Sequence, residues 1–165
     1  MSKISNLTKN ETSILIVEDE TILAIGMEYS LQEFGYEVSG IETTAQEAVS
    51  HASTQSPDLI LMDINLKGKT SGIEAAKQIW QYNKIPIIFL TSYSDDKTIK
   101  DAMKSEPYGY LIKPCRDKEL KVAIETAMHK HKYFFKNKES IGFTNDIKKV
   151  ISIQNNISFD KGKGV

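Results

Sequence analysis

Four short runs of this chain are apolar without polar alternation: "SILIVE" at 13–18, "DLILMD" at 58–63, "IPIIFLT" at 85–91 and "YGYLIK" at 108–113. Runs so short, rich in β-branched residues and lacking alternation, read as strands buried on both faces. A fifth run, "YEVSGI" at 36–41, alternates and reads as a half-polar strand at a sheet edge. The intervening segments carry apolar residues at helical spacing. These are Ile22, Ile25, Tyr29 and Phe34; Ala45, Ala48 and Ala52; Ile73, Ala76, Ile79 and Trp80; Ile99, Ala102 and Met103; and Leu120, Ala123, Ile124 and Ala127. Thr44-x-x-Glu47 and Ser71-x-x-Glu74 are capping boxes, each placed where a helical stretch begins.

Strand and helix therefore alternate five times. Parallel strands joined through helices must cross over right-handedly and bury an apolar stripe, so the alternation predicts an α/β fold with helices on both faces of a parallel sheet. The expected organisation is a flexible N-terminus over 1–12, a domain over 13–135 and, over 136–165, either a tail or the start of a truncated output domain. Ligands of such sheets bind outside the carboxyl ends of the strands.

The bulk properties exclude several function classes. The chain has 165 residues and a formal net charge of −1, which gives no global field to draw in nucleic acid or an acidic membrane. The lone Cys115 excludes an intrachain disulfide and fits a reducing compartment. No apolar run approaches the roughly 20 residues of a membrane-spanning helix, and the polar N-terminus has no leader-like core. A cytoplasmic protein is expected, in which the glycosylation-like patterns at Asn6, Asn10 and Asn156 carry no meaning.

The strand ends carry the chemistry. The first run stops at Glu18-Asp19, the third at Asp63, the fourth at Thr91-Ser92 and the fifth at Lys113-Pro114. Carboxylates crowded at one edge repel one another unless a cation or protonation relieves them. All-oxygen ligands select a hard cation, and Mg²⁺ commonly takes one or two carboxylates together with phosphoryl oxygens. A lysine and a threonine hydroxyl beside them suit phosphate. The set points to the movement of a phosphoryl group.

The ordered series Glu18-Asp19, Asp63, Thr91 and Lys113-Pro114 resembles the response-regulator receiver domain of two-component signalling, over roughly residues 13 to 135. The resemblance implies a flavodoxin-like, doubly wound, five-stranded parallel sheet in the order 2-1-3-4-5. It implies that Asp63 attacks the phosphohistidine of a sensor histidine kinase and becomes an aspartyl phosphate. It further implies Mg²⁺ held by Asp19, Asp63 and the Asn65 carbonyl, with Glu18 acting through water. Lys113 would pair with the phosphoryl oxygens and Pro114 would set the loop geometry. Thr91 would turn onto the phosphate and let Tyr110 move inward. The surface of the fourth helix, fifth strand and fifth helix would respond, and a phosphorylation-dependent homodimer through it is expected. No turnover of an outside substrate and no direct nucleic-acid binding are expected.

Glu18 departs from the family by replacing an aspartate often found first in the acid pair, and Cys115 stands where an aromatic residue commonly follows Lys-Pro. By the resemblance, Tyr93 stands at a position that in this family lines the entry for attacking water. "GKT" at 68–70 resembles a nucleotide loop, but the glycine required five positions before Gly68 is Asp63. His129 and His131, two apart, fall on different helix faces and form no metal pair. "KHKYFFKNK" at 130–138 reads as a solvated end of a long amphipathic helix, and "VISIQNNISFD" at 150–160 alternates around Asn155-Asn156, which is compatible with a hairpin or with a flexible tail. That hairpin resembles the opening of a winged-helix output domain, so one alternative is a fragment of a longer DNA-binding regulator. A second is a pseudo-receiver that binds a partner constitutively, against which the complete set of acids, Thr91 and Lys113 argues. A flavin-binding flavodoxin fails because the first strand leads into "EDET" rather than a hydroxyl- and glycine-rich loop.

Overall fold

The computed structural model describes residues 11–92, 96–104 and 107–160, with side chains described as far as 138 except at 96 and 98. The N-terminal segment, apart from residues 11 and 12, and Tyr93 lie outside the described residues. Strands β1 (Ser13–Val17), β2 (Glu37–Glu42), β3 (Leu59–Asp63), β4 (Ile87–Thr91) and β5 (Gly109–Ile112) alternate with five helices. These are α1 (Thr21–Glu33), α2 (Ala45–Gln55), α3 (Gly72–Asn83), α4 (Asp96–Met103) and α5 (Asp117–Asp160). The strands form one parallel sheet in the order β2-β1-β3-β4-β5. The chain reverses its direction of winding between β1 and β3, so their carboxyl ends open onto a crevice.

Burial follows the three apolar runs at the centre of the sheet. β3 and β4 are buried at every position. Leu15, Val17, Ile60, Met62 and Phe89 face the alanine-rich sides of α2 and α3, where Ala48, Ala52 and Ala75 let the helices approach the sheet closely. Ile14, Ile16, Leu61, Ile88 and Leu90 pack on the opposite side against Leu31 of α1 and Leu120 and Ile124 of α5. Each such aliphatic side chain contributes about 1.5–3 kcal/mol through burial. Both capping boxes form: the hydroxyls of Thr44 and Ser71 accept from the N–H groups of Glu47 and Glu74, whose carboxylates bond back. The half-polar second strand is indeed an edge strand. It is tied to α2 by His51, whose Nε2 lies 3.0 Å from Ser39 Oγ and whose Nδ1 lies 2.8 Å from Glu42 Oε1.

Three expectations are corrected. The run at 108–113, read as buried on both faces, forms the second edge strand: among the described residues β5 has a neighbour on one side alone, Leu111 is its one buried residue and Ile112 is exposed. Ile22, Ile25 and Tyr29 do not face the core; they are 86, 55 and 66% exposed, while Ala24 and Leu31 are buried with Met27 and Phe34 packed beside them. Apolar residues run along two lines of α1, and either satisfies helical spacing. Only docking on the sheet selects the line 24, 27, 31 and 34. The hairpin over 150–160 is replaced by helix, because α5 continues to Asp160. Ile147, Val150 and Ile151 also stand three and four apart, and a helix closes its backbone hydrogen bonds locally whereas a lone hairpin is marginal in water. The compact unit ends at Met128, and from His129 onward α5 forms a second unit.

Candidate functional site

The sheet ladder runs one residue past the strands and thereby positions the polar side chains. Glu18 N–H donates to Glu42 O at 3.0 Å, Ile64 N–H to Leu90 O at 3.0 Å and Lys113 N–H to Thr91 O at 2.8 Å. Backbone bonding therefore mounts the groups at the carboxyl edge without relying on flexible loops. The buried polar or charged side chains among the described residues are Glu18, Asp63 and Thr91, at 0, 2 and 3% exposure. All three stand at this edge.

Glu18, Asp19 and Asp63 each offer an oxygen within 4.8 Å of the others. Lys113 Nζ lies 3.0 Å from Glu18 Oε2 and 3.2 Å from Asp63 Oδ2, with Glu20 Oε1 at 3.9 Å. The Lys113-Pro114 peptide is cis. Main-chain donors hold the other carboxylate oxygens. Asn65 N–H bonds Asp63 Oδ1, Glu20 N–H bonds Glu18 Oε1 and Lys67 N–H bonds Asp19 Oδ2, each at 3.0 Å. Three carboxyl groups thus share one ion-paired lysine with Asp19 beside them, and a hard cation fits the surplus oxygen charge better than a soft one. Glu18, Asp19 and Asp63 could hold such an ion between them, and Asp19 and Asp63 also line the open cleft.

The electrostatics follow from burial. Burial raises the Glu18 carboxyl above the ordinary glutamate value, and the Asp63 charge adds to the rise against the opposing bonds from Glu20 N–H and Lys113. For Lys113, burial acts downward, but its bond to Glu18 and the charges of Asp63 and Glu18 outweigh it and hold the ammonium above the usual lysine range. Thr91 Oγ1 donates to the Ser92 carbonyl at 3.2 Å, so its hydroxyl is engaged locally. Tyr110 packs on Phe89 with ring centroids 6.2 Å apart. Its hydroxyl is buried without a hydrogen-bond partner among the described residues.

Glu18, Asp19, Asp63 and Lys113, singled out from strand ends, converge here. Asn65 joins through its main chain, Thr91 borders the group, and Tyr110 stands behind it on β5. Three contributors were missed. Glu20 and Lys67 line the cleft of about 660 Å³ over Asp63, and Gly72 at the start of α3 lies so near β3 that a Cβ there would run into the Asp63 carbonyl. A glycine directly after a helix cap was the available signal for Gly72.

Residues 14–125 match the response regulator receiver domain family. The chain belongs to that family. The receiver is 36% identical over 115 residues to the transcriptional regulatory protein PdtaR of Mycobacterium tuberculosis, covering 70% of this chain and 56% of that protein. It is 37% identical over 119 residues to DesR of Bacillus subtilis, covering 71% of this chain and 58% of the relative. The receiver therefore spans about half the length of such curated relatives. Among solved structures, it resembles the signal receiver domain of a modulated diguanylate cyclase from Desulfovibrio desulfuricans at 38% identity and a TM-score of 0.72, covering 75% of this chain and 98% of that one. The sheet order is that of the receiver fold, and receivers in general act with histidine kinases in two-component signalling. Among the described residues, no helix is long and apolar enough to cross a membrane.

Proposed function

We propose that Asp63 is the phosphoacceptor of this receiver. The observation that supports this most is a carboxylate 2% exposed, at the end of an entirely buried strand, 3.2 Å from an ammonium and open to an acid-lined cleft. A carboxylate Oδ of Asp63 attacks phosphorus, the P–N bond to the donor histidine breaks as the P–O bond forms, and the imidazole leaves. Mg²⁺, when held by Asp19, Asp63 and the Asn65 carbonyl with Glu18 behind it through water, supplies charge neutralisation for the phosphoryl oxygens. Lys113 exchanges part of its pairing with Asp63 for those oxygens.

The added charge of about −1.5 to −2 then has local consequences. Thr91 releases the Ser92 carbonyl and donates to the phosphoryl group. Tyr110, whose hydroxyl lacks a partner, is biased to a new position, and the α4-β5-α5 face changes with it. That face supports a homodimer when Asp63 is phosphorylated. Residues 13–135 act as the receiver, and the working compartment is the cytoplasm. Intact mass after incubation with acetyl phosphate tests the core of this reading. A Mg²⁺-dependent gain of one phosphoryl group, absent in Asp63→Ala, is expected; no gain in folded wild type would turn the chain into a constitutive binding module.

A further inference from the structure

Lys113 is not the lone cation of the cleft. Lys67, in the segment between β3 and α3, lines the same cavity and also an adjoining hollow of about 270 Å³ with Thr44, Gly68, Lys69 and Thr70. Its N–H is fastened to Asp19 at 3.0 Å, so the segment that carries it is pinned to the acid pair. Gly68 follows at φ +126°, a conformation that favours glycine and turns the chain immediately after Lys67. Among the described residues, no carboxylate pairs with the Lys67 ammonium. Lys113, by contrast, is already shared between Glu18 and Asp63.

The charge balance gives this uncommitted ammonium a purpose. Glu18, Asp19, Glu20 and Asp63 surround Lys113, and a phosphoryl donor brings up to two further negative charges into the same space. One divalent cation with Lys113 still leaves the cleft formally negative, and a second ammonium brings it to neutrality before the donor enters. We propose that Lys67 is a donor-binding residue, a second cationic contact for the phosphoryl group that enters over Asp63. The inference rests on the phosphoryl-transfer reading of this cleft. Lysine suits the role as a mobile point charge on a flexible arm, able to meet the donor without a fixed geometry.

The test uses the full chain with Mg²⁺ and compares wild type with Lys67→Ala, Lys67→Arg and Lys69→Ala. Lys67→Ala keeps the N–H bonded to Asp19, so it removes the charge and leaves the anchor. Two readouts are taken: affinity for inorganic phosphate by calorimetry, and the rate of Asp63 phosphorylation at limiting acetyl phosphate across a salt series. Lys67→Ala should weaken phosphate binding about tenfold, the size of one factor of ten in an equilibrium constant. It should slow phosphorylation to a similar degree and flatten its salt dependence, with Lys67→Arg restoring both and Lys69→Ala staying within twofold of wild type. Equal phosphate affinity and rate in wild type and Lys67→Ala would overturn the inference, as would an equal loss in Lys69→Ala, which would mark a general surface field. A phosphate deficit in Lys67→Ala together with no phosphorylation of wild type would sustain the contact and defeat the phosphoacceptor reading alone.

Discussion

Two polar clusters interrupt the apolar frame of this receiver, and they differ in how completely they satisfy themselves. On the β2 edge, His51 divides its two ring nitrogens between Ser39 and Glu42, one partner each. At the carboxyl edge, Lys113 is divided among Glu18, Asp63 and the more distant Glu20, while Asp19 stands beside them with, among the described residues, a main-chain donor alone. The first cluster closes a strand onto a helix and pairs both ring nitrogens. The second keeps an excess of oxygen charge at the end of a buried strand, which folding alone would not favour. Unsatisfied charge held rigidly is what separates a site from a brace.

That contrast can be broken or sharpened by substitution, beginning with the largest effect. Asp63→Asn should lose all phosphoryl gain in intact mass while remaining folded, whereas His51→Ala should be phosphorylated at the wild-type rate. The two glycines beside the clusters should differ next. Gly72→Ala drives a methyl into the Asp63 carbonyl, a backbone atom that cannot rotate away, and should cost about 3 kcal/mol in chemical denaturation. Gly40→Ala brings a Cβ to 2.6 Å from the His51 ring, which can turn aside, and its cost should be clearly smaller in the same measurement. If the two lost equal stability, Asp63 would not be mounted on a specially close α3 contact.

The pH response separates the clusters again. Glu18 titrates above its ordinary value in the folded protein, so at pH between the ordinary and the folded value the folded state holds a proton that the unfolded state has released, while above both it is ionised. Its contribution is therefore most favourable in acid and is lost as pH rises through the folded value. Without divalent metal, the stability of wild type relative to Glu18→Gln should rise as pH falls from neutrality toward that range. Lys113 works in the opposite part of the scale. Its raised value makes its pairing fully stabilising below the ordinary lysine range, with loss only as pH climbs through the higher folded value. Thermal melts across pH would check both directions. The smallest effect is expected for His51→Ala, about 1 kcal/mol from the lost side-chain bonds.

Much of the architecture was legible because its signals are local. Uninterrupted apolar runs marked the strands, and two capping boxes marked helix starts that occur where expected, at Thr44 and Ser71. The strand-end residues were legible too, since strand ends in a parallel sheet must share an edge. Tertiary contacts hid the rest. The buried line of α1 was misread because both of its apolar lines have the right period, and the run at 150–160 because alternation and helical spacing coexist there. No local pattern sets Lys67 apart from its neighbours, and the close approach at Gly72 exists only once α3 packs on β3.

The sequence by itself determined the order of strands and helices, the parallel sheet and the set of polar groups at its carboxyl edge, because each follows from period, length and chain connectivity. Only the tertiary structure decided which face of α1 is buried and how Lys113 is divided between Glu18 and Asp63. It also decided which main-chain N–H holds each acid and why no Cβ fits at Gly72. Those depend on distances between segments far apart in the chain, set by how the helices seat on a twisted sheet, and no local pattern encodes them.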